Sequence, residues 1–270
     1  MDERKFNIAV LIDGDNAQAK LIKEIIEEVS IYGKATVRRI YGDWTMPQMN
    51  GWKDTINQYS INPIQKFSYT TGKNSTDSSL IIDAMDILYA GNIEGFCIVS
   101  SDSDYTGLAK RIREEGLFVM GIGRRSTPIA FVNSCEIFTF TENLLPEVAE
   151  EDKKTRPKKV KAVIRNTPQT TALNKDPQVE EAKTPKSRER PDILPKIDLH
   201  LIDKAFDISA NENDEAYVSH VGLNLRKIDP SFDPRTYGYK TLTKLFETIG
   251  KYQIINNEVN GLNNPILKLK

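Results

Sequence analysis

Asn7-Ile8-Ala9-Val10-Leu11-Ile12-Asp13-Gly14-Asp15-Asn16 is an unbroken apolar run that stops abruptly in an acidic turn. Continuous apolarity, without the polar alternation of a half-exposed strand, predicts a strand covered on both faces. The Asp-Gly pair predicts a tight turn feeding a helix. That helix is expected where Leu21, Ile22, Ile25, Ile26 and Val29 recur at three- and four-residue spacing between lysines and glutamates, with Gly33 as its stop. The same alternation continues outward. Residues 35–41 read as a strand, the segment after Pro47 as a helix within 44–59, and residues 63–69 as a strand. After a turn at 70–74, Ser75-Thr76-Asp77 opens a helix carrying Leu80, Ile81, Ala84, Met85, Leu88 and Tyr89 that ends near Gly91. Residues 95–100 form a strand broken by Ser101-Asp102-Ser103-Asp104, followed by a helix with Leu108, Ala109 and Ile112 on one face. Residues 117–122 and 137–140 are the last strands of this part. Strand and helix in strict alternation predict an α/β fold, a parallel sheet flanked by helices.

Composition changes twice along the 270 residues. Residues 1–149 form the α/β domain. From 150 to 192 the chain is rich in Lys, Thr, Pro, Glu and Gln and has no aromatic residue, which predicts a flexible polar linker. Its excess of bases, 12 Lys and Arg against 7 Asp and Glu over 151–192, suits a cationic tether. Residues 193–270 show three helical segments, near 198–210, 217–228 and 236–250. Strand-like residues 252–255 and 266–269 follow, joined by a turn at 256–263. Three short helices closed by a hairpin predict a small winged helix-turn-helix domain.

Charged residues make up 28% of the chain, and no apolar run approaches the length of a membrane helix, so no membrane association is expected. The acidic start, Met1-Asp2-Glu3, lacks the positive flank of a signal peptide. Cys97 and Cys135 are too few for a disulfide framework or a cysteine zinc site, which fits a reducing cytoplasm.

The chemistry is carried by acids placed where strands end. Asp13 and Asp15 follow the first strand, Asp77 starts the central helix, and Asp102 and Asp104 follow the 95–100 strand. In a parallel sheet those turns converge at one edge. Converging carboxylates repel one another, and a cation between them relieves the repulsion. Oxygen ligands without nearby His or Cys select Mg2+ or Mn2+ over zinc. Taken singly, each cluster is also ordinary turn and cap chemistry. Asp83 and Asp86 share a helix with Asp77 but point away from it at 100° per residue.

The motifs Ile12-Asp13-Gly14-Asp15-Asn16, Gly72-Lys73-Asn74-Ser75-Thr76-Asp77 and Val99-Ser100-Ser101-Asp102-Ser103-Asp104-Tyr105 resemble, in order, those of the NYN domain, a branch of the PIN-like nucleases. The resemblance spans about 140 residues. It implies a metal-dependent ribonuclease whose catalytic and metal-holding residues are Asp13, Asp77, Asp102 and Asp104, with Asn16, Lys73 and Ser100 in support. Ser101 stands where relatives often carry Gly. The stretch Phe232-Asp233-Pro234-Arg235-Thr236-Tyr237-Gly238-Tyr239-Lys240 resembles the OST-HTH or LOTUS domain, which implies binding of RNA, including G-rich or structured RNA, or of a protein partner. Arg235, Tyr237, Tyr239 and Lys240 are RNA-contact candidates, because positive charge and aromatic faces gather at a helix start. Arg124 and Arg125, just after a strand, are two more. Tyr237 and Tyr239 equally suit the small domain's core, as Trp44 and Trp52 suit that of the larger one. His200 and His220, far from the acids, read as structural.

Two other functions compete. A non-catalytic RNA-binding adaptor would keep both folds and lose the metal. A phosphatase of the haloacid-dehalogenase type would explain Asp13-Gly14-Asp15, but that family wants Thr or Val where Ala17 stands. Homodimerisation stays open.

Overall fold

The computed structural model describes residues 6–67, 75–145, 194–259 and 262–270. Lys73, the turn at 70–74 and the linker at 150–192 lie outside the described residues.

Six strands, β1 (Phe6–Asp13), β2 (Gly33–Gly42), β3 (Asn62–Gln65), β4 (Gly95–Val99), β5 (Phe118–Gly123) and β6 (Ile137–Phe140), form one sheet in the order β3-β2-β1-β4-β5-β6. Every pairing is parallel. The apolar run of β1 explains itself in this setting. Residues 8–12 are fully buried, and successive side chains serve opposite layers. Ile8, Val10 and Ile12 pack with Ile22, Ile25 and Val29 of α1 (Ile22–Tyr32) and with Met49 and Trp52, which precede α2 (Lys53–Gln58). Ala9 and Leu11 pack instead with Leu80 and Ala84 of α3 (Ser75–Ala90), Leu108 and Ile112 of α4 (Thr106–Glu114) and Phe131 of the single-turn α5 (Ile129–Val132).

The strand order fixes where a ligand can sit. From β1 the chain winds outward through β2 to β3, then returns across β1 to place β4 on its other side. The loops leaving β1 and β4 therefore diverge, and a crevice opens at the carboxyl ends of these two neighbours.

The C-terminal domain comprises α6 (Leu199–Ser209), β7 (Glu215–Tyr217), α7 (Val218–Ile228), α8 (Leu242–Ile249), β8 (Tyr252–Ile255), β9 (Glu258–Val259), β10 (Leu262–Asn263) and β11 (Ile266–Leu269). Its own core gathers Ile202, Phe206, Val221, Leu225, Leu245, Phe246, Tyr252 and Leu267. The expected hairpin is β8 with β11, and β7 adds a third antiparallel strand. The third helix differs from the expectation over 236–250. A 3-10 turn at Pro234–Tyr237 stops at Gly238, whose φ of 82° no helix continues, and α8 begins only after Thr241 caps it. The expected turn at 256–263 contains a second small ladder, β9 with β10.

Candidate metal centre

Asp13 closes β1 at the mouth of the crevice and is 1% exposed. Three donors fix its carboxylate. Asn16 Nδ2 and Ser100 Oγ reach Oδ2 at 2.7 and 2.8 Å, and the Asp15 N–H reaches Oδ1 at 3.2 Å. Burial pushes the Asp13 carboxyl above the usual range, while the Asn16 and Ser100 hydrogen bonds pull it back. Two glycines permit the close backbone approach around it. A Cβ on Gly14 would stand 2.7 Å from the Tyr41 carbonyl oxygen, which accepts the Gly14 N–H, and a Cβ on Gly123 would stand 2.5 Å from the Ser100 carbonyl oxygen.

Asp77 is the third residue of α3 and so lies inside the first turn, where the helix's positive end favours negative charge. Its Oδ1 accepts the Tyr105 O–H at 2.7 Å. Burial raises the Asp77 carboxyl, and the neighbouring Asp13, Asp102 and Asp104 charges raise it further against the Tyr105 hydrogen bond. Asp102 caps the 3-10 turn Ser103–Tyr105 by accepting the Asp104 N–H at 3.0 Å, and its own N–H donates to Ser100 Oγ at 3.1 Å. Asp77, Asp102 and Asp104 each offer a carboxylate oxygen within 4.8 Å of the others. Asp13 is outside that triplet and connects to it through Ser100, which it shares with the Asp102 backbone. Asp83, by contrast, binds the Arg39 guanidinium and the Tyr41 hydroxyl, and Asp86 is exposed.

The RNA-contact candidates fall in three places. Arg124 is exposed beside the acids: its N–H donates to Ser101 Oγ at 2.9 Å and its guanidinium lies 3.4 Å from the Asn16 carbonyl oxygen. Arg125, also exposed, donates its N–H to the Glu142 carboxylate and its guanidinium to Asn143 Oδ1 at 3.3 Å. Tyr237 and Tyr239 are half-buried and pack against the C-terminal core, with Tyr237 5.8 Å from the Phe232 ring, while Lys240 is exposed. Arg235 is ion-paired with Asp233 and with Glu28 of α1. Of the histidines, both are exposed, and His220 meets the Tyr217 ring edge-on. Trp52 is buried in the core, and the Trp44 indole donates to the Ile64 carbonyl.

Two residues with evident parts in this geometry carried no role in the sequence reading. Tyr105 was visible as the residue after Ser-Asp-Ser-Asp, but its partner Asp77 lies 28 positions away. Glu28 was detectable as an acid three residues after Ile25, on the apolar stripe of α1.

The fold and its acids define an α/β domain with clustered carboxylates at the switch point of a parallel sheet. A family model of the NYN domain matches residues 7–144, and one of the OST-HTH/LOTUS domain matches residues 198–263. The chain belongs to the NYN domain family, within the PIN-like nuclease superfamily, and carries an OST-HTH/LOTUS domain, a pairing that marks an RNA-related protein. No curated protein matches it. Among solved structures, the crystal structure of a protein of unknown function from Vibrio parahaemolyticus is 17% identical, covers 51% of this chain and 94% of its own, and has a TM-score of 0.43. The solution structure of an uncharacterized protein from Nitrosomonas europaea is 23% identical over 34% of this chain and 92% of its own, with a TM-score of 0.27. Among the described residues, no helix is long and apolar enough to cross a membrane.

Proposed function

We propose that the chain is a divalent-metal-dependent ribonuclease that cuts RNA internally, with the OST-HTH/LOTUS domain recruiting the substrate. The observation that carries this reading is the convergence of Asp77, Asp102 and Asp104 oxygens within 4.8 Å, beside the buried Asp13. The donor set fits Mg2+ or Mn2+: all four groups are hard oxygen ligands, both cysteines are buried in the core, and both histidines belong to the other domain. When bound there, either ion supplies water activation and stabilisation of the charge that builds on a phosphodiester.

The chain's own residues prepare the site. Ser100 and Asn16 fix the Asp13 carboxylate, and the Tyr105 hydroxyl fixes Asp77, so the acids are oriented before a ligand arrives. Arg124 sets a guanidinium at the rim, suited to hold an incoming phosphate.

The test is incubation of purified protein with a mixed RNA pool in Mn2+, Mg2+ or chelator, followed by mapping of the cut ends. Internal cuts that need the ion are expected. RNA binding without cutting in either ion would overturn the nuclease reading in favour of a non-catalytic RNA-binding protein.

A further inference from the structure

Glu28 is a carboxylate in the wrong place for an isolated domain. It sits on α1 among Ile25 and Val29, 5% exposed, where a free charge loses its hydration. Within its own domain it accepts a hydrogen bond from Thr139 Oγ1 at 3.3 Å. Its cation comes from beyond the linker. Arg235 Nη2 and Nη1 reach the two Glu28 oxygens at 2.8 and 3.0 Å, and the same guanidinium donates through Nε and Nη2 to Asp233 at 2.9 and 2.6 Å. Planar guanidinium geometry is what such a double clamp requires.

Other contacts surround the clamp. The Phe138 N–H, on the outer edge of β6, donates to the Pro230 carbonyl at 2.8 Å. Asn143 Nδ2 donates to Thr236 Oγ1 at 2.8 Å, and the Arg226 guanidinium lies 5.9 Å from the Tyr32 ring centre. These contacts join residues that cluster into one compact unit on either side of residues 146–193.

We propose that the α1–β6 flank of the NYN domain is a docking surface for the chain's own OST-HTH/LOTUS domain, locked by Arg235 between Glu28 and Asp233. Arg235 is then a docking residue and not an RNA contact. Docking also links Arg125 through Asn143 to Thr236, one residue before Tyr237, so the basic pair near the acids adjoins the second domain. The docking stands independently of the ribonuclease reading.

The test uses the full chain with nitroxide labels on introduced cysteines, D54C in α2 and E212C after α6, both exposed positions. Cys97 and Cys135 stay unlabelled, being 0% and 1% exposed with thiols pushed up by burial. One narrow inter-label distance is expected. It should broaden severely in R235A and E28A. It should broaden less in R235K, which keeps the charge but cannot chelate both carboxylates. A broad distribution in the parent chain would overturn docking, and a narrow one unchanged in R235K and R235A would overturn the role of Arg235. If R235A fails to fold, R235K decides. Neither RNA nor metal is present, so loss of ribonuclease activity and loss of docking are read separately.

Discussion

An amide can replace the Asp102 carboxylate and still accept the Asp104 N–H, so Asp102→Asn removes charge while keeping the cap. Metal-dependent cleavage should fall roughly 100-fold or more. The metal-free protein should melt no lower than the parent, because repulsion among the acids is relieved. Asp86→Asn, exposed on α3, should leave both quantities nearly unchanged; equal loss there would misplace the site. A second expectation concerns pH. The Asp13 and Asp77 carboxyls are raised above their ordinary 3.8 by burial, so the fold favours their protonated forms. Their contribution to metal-free stability is complete below that value and is lost as pH rises through the raised one. The melting-temperature gain on adding Mn2+ should therefore grow from about pH 4 toward neutrality. A gain independent of pH would detach these acids from the metal. That Asp77, Asp102 and Asp104 meet beside Asp13 was legible because turns after strands and the helix starts they feed gather at one edge of a parallel sheet. Tyr105 was not, because the acceptor that gives its hydroxyl meaning is set by tertiary packing between α3 and the turn after β4. For Tyr105→Phe, cleavage should drop about 10-fold with the fold retained, as for other groups that orient a metal ligand.

At the scale of elements, the ends of β4 and β5 lie close where Ser100 leaves β4, its N–H donating to the Ile122 carbonyl at 3.0 Å while its hydroxyl reaches Asp13 at the end of β1. Gly123 permits this, and Gly123→Ala would drive a methyl against the Ser100 carbonyl, the Thr127 hydroxyl and the Phe138 ring. Overpacking of this kind costs about 1–3 kcal/mol. Urea denaturation should show that loss together with weakened cleavage, since the displaced backbone carries the Ser100 hydroxyl. The central strands β1 and β4 were readable because burial on both faces leaves uninterrupted apolar runs, as in residues 8–12 and 95–99. Elements of the smaller domain were less so. β7 has only three residues, too few for a period to register, and it exists because β11 pairs with it. The break at Gly238 lay in plain sight as a glycine after Thr-Tyr, but helical spacing on both sides masked it.

For the molecule as a whole, removing Arg235 leaves Glu28 and Asp233, 5% and 8% exposed, without their shared cation. Arg235→Ala should cost about 3 kcal/mol, toward the lower end for a broken buried pair because the guanidinium is itself one-third exposed. Thermal melting of the full chain measures this, and a variant as stable as the parent would show the clamp to be idle. Linker composition predicts proteolysis between about 150 and 192, and with docking in place the two products should co-elute from a sizing column in the parent but separate in Arg235→Ala. The contact at β6 has one more outcome. The outermost strand of a sheet is a template on which further chains can polymerise, and at Phe138 that template is met by a proline carbonyl. Proline has no N–H to return, so hydrogen bonding there cannot be reciprocated into a seventh strand. Docked as proposed, the smaller domain would cover that position of the open sheet edge.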